Sequence, residues 1–130
     1  DDILTNADEM GKMVETAVYK HVAAFYYQNA TKVGYYRGGR KDKEIDIVVA
    51  YPKSKDILIE VKYREQATIK EDDAIREMSK NAGAALVITK RADDYGTTVM
   101  ENQQTLIRIP AFAFLYLLGH AEKCGYKGAE

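Results

Sequence analysis

Apolar residues recur at helical spacing from about Asn6 to Gln28, where Met10, Val14, Ala17, Val18, His21 and Phe25 fall on one stripe. Asn6 is placed to cap that helix, and Asp8 and Glu9 would sit in a first turn whose dipole favours anions. Lys32 to Tyr36 reads as a short strand. After the Gly-containing basic turn from Arg37 to Lys43, Glu44 to Tyr51 alternates as a strand does. Pro52-Lys53-Ser54 marks a turn, and Asp56 to Tyr63 alternates again. Ile69 to Asn81 has the pattern of a polar amphipathic helix stopped by Gly83. Ala84 to Thr89 reads as a buried strand and Thr105 to Ile109 as another. Pro110 suits the first residue of a closing helix. The order α-β-β-β-α-β-β-α predicts an α/β fold, a mixed central sheet flanked by helices. The crossover through the middle helix should make the strands on either side of it parallel neighbours.

Residues two apart on a strand share a face. Ile45, Ile47 and Val49 are therefore expected to point one way and Glu44, Asp46 and Val48 the other. On the next strand Leu58, Glu60 and Lys62 oppose Ile57, Ile59 and Val61. A hairpin turning on Lys53 sets Asp46 opposite Glu60 and Glu44 opposite Lys62. Directly opposed Cβ atoms lie roughly 4.5–5.5 Å apart, so the two carboxylates repel unless a cation joins them. Mg²⁺ and Mn²⁺ take oxygen ligands, and one or two carboxylates with water and substrate phosphate make a usual Mg²⁺ site. Lys62 would orient or deprotonate an attacking water, or steady charge in the transition state. The plainer reading of the same residues is a half-exposed antiparallel pair with a surface ion bridge.

Composition narrows the partners without naming one. The 130 residues suit one domain, and the net charge of −1 supplies no global field to draw nucleic acid. Binding of that kind must come from a local patch, for which Arg37, Arg40, Lys41 and Lys43 are the candidates as phosphate contacts. A single Cys, Cys124, excludes an intrachain disulfide and fits a reducing, cytoplasmic setting. No Cys/His cluster has zinc spacing. The apolar run from Pro110 to Leu118 falls short of the ~20 residues that cross a bilayer, so no membrane partner is expected.

Asp46, followed fourteen residues later by Glu60-Val61-Lys62, resembles the core of the PD-(D/E)xK nuclease superfamily, although Ile45 stands where the motif name has Pro. That resemblance implies a restriction-endonuclease-like fold with an α-β-β-β-α-β core. It implies metal-dependent hydrolysis of DNA phosphodiesters, branched or structured DNA included. Members often place a Glu on the first helix, and Glu15 matches it. Glu15, Asp46 and Glu60 would then hold Mg²⁺ or Mn²⁺, with Lys62 acting on the water or the transition state. Gly11-Lys12-Met13-Val14-Glu15, Tyr35-Tyr36-Arg37, Lys43 to Val48 and Ile59 to Tyr63 resemble more closely the C-terminal domain of a family of archaeal and bacterial AAA-type ATPases, as does Ile109-Pro110 before an apolar helix. No P-loop run occurs here. The expectation is that residues 1–130 form a single nuclease-like domain, the C-terminal part of a longer ATPase chain, and homodimerisation is compatible with the class.

The remaining polar residues have plainer readings. Glu44 is either a further ligand or the partner of Lys62, and the partner is favoured. Tyr35 and Tyr36 can stack on unpaired bases, though alternation puts one in the core. Tyr63, Arg64 and Gln66 read as a strand-to-helix connection. His21 is expected to be partly buried and hydrogen-bonded, and His120 has no partner pattern. Glu71-Asp72-Asp73 complements a helix dipole. Two other functions stay open: a non-catalytic module that binds DNA or protein for an attached ATPase, and a dimerisation domain, which a large apolar patch on a sheet edge or on the last helix would favour.

Overall fold

The computed structural model describes residues 2–26, 32–37, 44–52, 54–69, 73–100 and 102–123. Helix α1 (Asp2–Tyr26) leads into β1 (Lys32–Arg37), β2 (Glu44–Ala50) and β3 (Ile57–Lys62). Then come α2 (Ala74–Met78), which runs on into a 3₁₀ turn at Ser79–Asn81, β4 (Ala84–Thr89), β5 (Gly96–Val99), β6 (Thr105–Pro110) and α3 (Ala111–Lys123). The six strands form one mixed sheet in the order β1-β2-β3-β4-β6-β5. β1, β2 and β3 are antiparallel neighbours, β4 runs parallel to both β3 and β6, and β5 returns antiparallel beside β6. This is the predicted α/β class. The crossover between β3 and β4 makes them parallel, and Ile47↔Ile59, Val48↔Leu58 and Val49↔Ile57 reproduce the expected β2–β3 register. Lys53, on which that hairpin was centred, lies outside the described residues.

Apolar residues bury both faces of the sheet. On one face Val18 and Val22 of α1 meet Ala111 and Phe114 of α3 over Ile47, Val49, Ile59 and Ile88. On the other, Ala74 and Ile75 of α2 cover Leu58, Ala85, Val87 and Leu106. Val87 and Ile88, adjacent on β4, go to opposite cores, which is why that strand reads as a continuous apolar run.

Several elements depart from the sequence pattern. α1 begins at Asp2, so Asn6 lies inside it and caps nothing. Its buried stripe is Val14, Val18 and Val22, rotated away from Met10, which is 49% exposed. Tyr19 helps fix that rotation, since its hydroxyl donates to the Val33 carbonyl of β1 at 3.0 Å. His21 is consequently exposed rather than partly buried; its Nδ1 lies 2.8 Å from the Ala17 carbonyl, which can only accept, so Nδ1 carries the proton. The predicted Ile69–Asn81 helix shrinks to Ala74–Met78. Ala67 and Ile69 are instead buried in the connection, whose carbonyls are taken by arginines: Ile69 accepts from Arg76 at 3.3 Å and Ala67 accepts from Arg108. Glu71 and Asp72 lie outside the described residues. Strand β5 has no counterpart in the sequence pattern, because every position on it is exposed and no burial period marks it. Pro110 ends β6 rather than opening the helix, a shift of one residue. Among the described residues no helix is long and apolar enough to cross a membrane.

Arg108 on β6 clamps the loops at this end of the sheet. Its guanidinium donates from two nitrogens to the two Asp94 oxygens at 2.8 Å each, and both side chains are about one-fifth exposed. A double-mutant cycle of Arg108→Ala and Asp94→Ala, read by urea unfolding, is expected to give a coupling of about 1–3 kcal/mol. A value near zero would show that solvent screens the pair.

Candidate active site

The site begins with an irregularity in β2. β1 pairs Lys32↔Ala50, Val33↔Val49 and Gly34↔Val48, but then Tyr36↔Ile45 and Arg37↔Glu44. Asp46 and Ile47 therefore stand together opposite Tyr35 alone, the signature of a bulge. The extra residue reverses the alternation. Ile45 packs in the α2 core, whereas Ile47 and Val49 pack under α1 and α3, so the three isoleucine and valine positions do not share one face as expected. Asp46, at the bulge, lines a cleft with residues of α1.

The ladder between β2 and β3 stops at the same place. Its last pair is Ile47↔Ile59. Beyond it the Val61 N–H donates to Asp46 Oδ2 at 2.8 Å, so a side chain replaces the backbone acceptor and the strands can part. Asp46 and Glu60 meet in this opening through a side-chain hydrogen bond. Glu60 is only 8% exposed. Burial, then the hydrogen bond to Asp46 and its charge, push the Glu60 carboxyl up to about 9, against the opposing pull of Lys62. Glu60 thus favours its protonated form at neutral pH. Half-buried Glu15 faces the same charge from α1. Burial first, and Asp46 second, raise its pKa, while Arg37 pulls it back.

Lys62 lies beyond Glu60 on β3, its Nζ 3.8 Å from Asp73 Oδ2, with both side chains about one-sixth exposed. The expected Glu44–Lys62 pair does not form. The strands have already separated, and Glu44 follows β1 instead, 3.7 Å from Arg37 Nε. Asp73 precedes α2 in extended conformation and makes no side-chain cap bond, which leaves its carboxylate directed to Lys62. The sequence pattern gave Asp73 only a helix-dipole role; its reach to Lys62 depends on α2 starting late. Arg37 lines the cleft of about 380 Å³ with Lys12, Glu15 and Asp46. Arg40, Lys41 and Lys43 lie outside the described residues.

Asp46 and Glu60 are thus brought together, with Glu15 and Lys62 in electrostatic reach. Among the described residues no group of three His, Cys, Asp or Glu side chains closes around one point. A buried and a half-buried carboxyl side by side still fit a hard divalent ion, because Mg²⁺ is commonly held by one or two carboxylates with water completing the shell.

The raised Glu60 pKa sets a direction for stability. In the presence of EDTA, the folded chain holds a proton that the unfolded chain releases near pH 4.5, the ordinary value. That stabilisation is full below pH ~4.5 and is lost as pH rises towards about 9. Glu60→Gln is expected to flatten this fall and to raise stability at pH 8, measured by urea unfolding across pH. An unchanged slope would mean that Glu60 is ionised in the folded chain.

No curated protein and no solved structure matches the chain. The family described as "Domain of unknown function (DUF4143)" matches residues 10–112, from α1 to the start of α3. Glu15, Asp46, Glu60, Lys62 and Asp73 all fall inside the match. The chain that carries this carboxylate pair belongs to the DUF4143 family.

Proposed function

We propose that this domain is a metal-dependent nuclease that hydrolyses DNA phosphodiester bonds. The observation that carries the reading is the meeting of Asp46 and Glu60 where β2 and β3 part, with Lys62 beyond them and Glu15 facing from α1. Asp46 and Glu60 would hold Mg²⁺ or Mn²⁺, with Glu15 reaching it directly or through water. When bound, the ion supplies Lewis acidity at the phosphoryl oxygen and a more acidic water. Lys62 offers a donor at Nζ to that water or to charge growing on the phosphate. Asp73 keeps the ammonium in place. Arg37, which lines the Glu15–Asp46 cleft, would take a phosphate, and Arg40, Lys41 and Lys43 continue the same segment in sequence. The chain's resemblance to AAA-type ATPase C-terminal domains supports a setting in which an attached ATPase delivers or moves the DNA.

One observation favours a non-catalytic reading, the dimerisation domain. Phe112, Tyr116 and Leu117 on α3 are 62%, 70% and 54% exposed, and the Tyr116 ring stacks with His120.

Glu60→Gln separates the two readings. The substitution keeps the shape and hydrogen-bonding capacity of a group already protonated without metal, so the fold should survive it. Supercoiled and branched DNA should be cut with Mg²⁺ or Mn²⁺ and not with EDTA. Glu60→Gln and Lys62→Ala are each expected to lower the rate by about 10²–10³-fold. Asp73→Asn should cost about tenfold or less, since it acts through Lys62. Cutting that survives Glu60→Gln would place the chemistry elsewhere. Absence of cutting, with no Mn²⁺ binding by calorimetry, would leave the non-catalytic readings.

A further inference from the structure

Two clefts share Lys12 and Glu15 in their walls, and Asp46 lines one of them. One, of about 380 Å³, is bordered by Tyr35 and Arg37; the other, of about 580 Å³, by Tyr63, Arg64 and Lys90. Both volumes fall in the ~300–1,000 Å³ range of ligand-sized pockets. Each cleft carries an aromatic ring with a cation over it. Arg37 Cζ is 4.5 Å from the Tyr35 ring centroid, and Lys90 Nζ is 5.7 Å from that of Tyr63. Tyr35 is 62% exposed despite its cation, so much of the ring remains accessible.

The charges in these clefts do not favour a duplex. Glu15, Asp8 and Glu65 are interleaved with the cations, and Lys90 is already 3.2 Å from Glu65. A duplex offers phosphates and base edges, and its attraction to a protein comes mainly from uncompensated Lys and Arg. The same acids weaken a single strand's phosphate contacts, but a single strand adds free base faces for the rings, and a base can stack on a ring only when it is unpaired.

We infer that the paired clefts bind an unpaired DNA strand, with Tyr35 and Tyr63 as stacking platforms on either side of the Lys12–Glu15 wall. The strand's role as substrate rests on the nuclease reading; its binding does not. Neighbouring bases would leave the stack at the wall the clefts share, exposing the phosphodiester between them to Lys12. The bulge contributes directly, since it is Tyr35 that stands opposite the extra residue.

The test is fluorescence anisotropy in EDTA, where no turnover competes. The probes are a labelled oligothymidine of about 12 nucleotides, inside the ~4–16 nucleotide footprint usual for single-strand sites, and a duplex of equal length. The oligothymidine should bind about tenfold or more tightly than the duplex. Tyr35→Ala and Tyr63→Ala should each weaken it about tenfold. Tyr35→Phe and Tyr63→Phe should bind as the wild type does, which rules out loss of a hydroxyl, and unchanged urea midpoints of the alanine variants separate lost stacking from lost packing of Tyr63 against the core. Equal affinity for duplex, no binding, or alanine variants that bind as the wild type would each overturn the inference. Duplex cutting without strand preference would overturn it while leaving the nuclease standing. Strand binding by a chain that never cuts would do the reverse.

Discussion

The hydrogen bond from Val61 N–H to Asp46 Oδ2 decides where the sheet ends and the site begins. Antiparallel strands continue pairing as long as each N–H finds a backbone acceptor, since a buried unpaired donor costs roughly 1–3 kcal/mol. Here the acceptor comes from a side chain, supplied by a residue that a bulge has turned towards α1. The strands can then part without an unsatisfied donor at this position. Glu60 enters the opening, and Lys62 is released from any partner on β2 to meet Asp73. Asp46 is therefore both a structural acceptor and a candidate ligand, and the two duties are hard to separate by substituting it. Glu60 carries only the second.

Glu60 also shows the cost of such a site. A carboxyl only 8% exposed, hydrogen-bonded to another carboxyl, favours its neutral form. Ionising it without a counter-charge strains the folded state, and Lys62 offsets only part of that. An apolar residue would suit the local packing better. The arrangement makes physical sense where a cation, when it arrives, converts repulsion into attraction, in keeping with the general observation that perturbed carboxyls concentrate at functional sites.

Much of this was legible in the residues. Alternation and a turn signal fixed β2, β3 and their register, because a one-residue slip would have exposed the Ile47–Val49 and Ile57–Ile59 set. Asp46 and Glu60 were paired on the same ground. The bulge was hardly legible: β2 itself carries no glycine or proline there, the only hint being Gly34 beside it on β1, and Ile45 and Ile47 look equivalent until each is seen in a different core. That single residue misdirected the expectation for Glu44. The late start of α2 was hidden for a similar reason, since the contacts that hold Ala67 and Ile69 in an extended connection come from Arg108 and Arg76, one of them 41 residues away. β5 left no period to read because nothing covers it.

The two rims of the sheet are guarded differently. β1 carries Lys32 and Arg37 at its ends and pairs irregularly with β2, all of which discourage another strand from joining. β5 is Gly96-Thr97-Thr98-Val99, uncharged and exposed throughout. Its protection is brevity. Four residues present too short a row of outward backbone groups to template a stable addition, and the turn through Gln103, with φ of 70°, ends it promptly. Solubility at that rim is thus a matter of strand length rather than of charge, and the turn that limits the strand protects the molecule from its own copies.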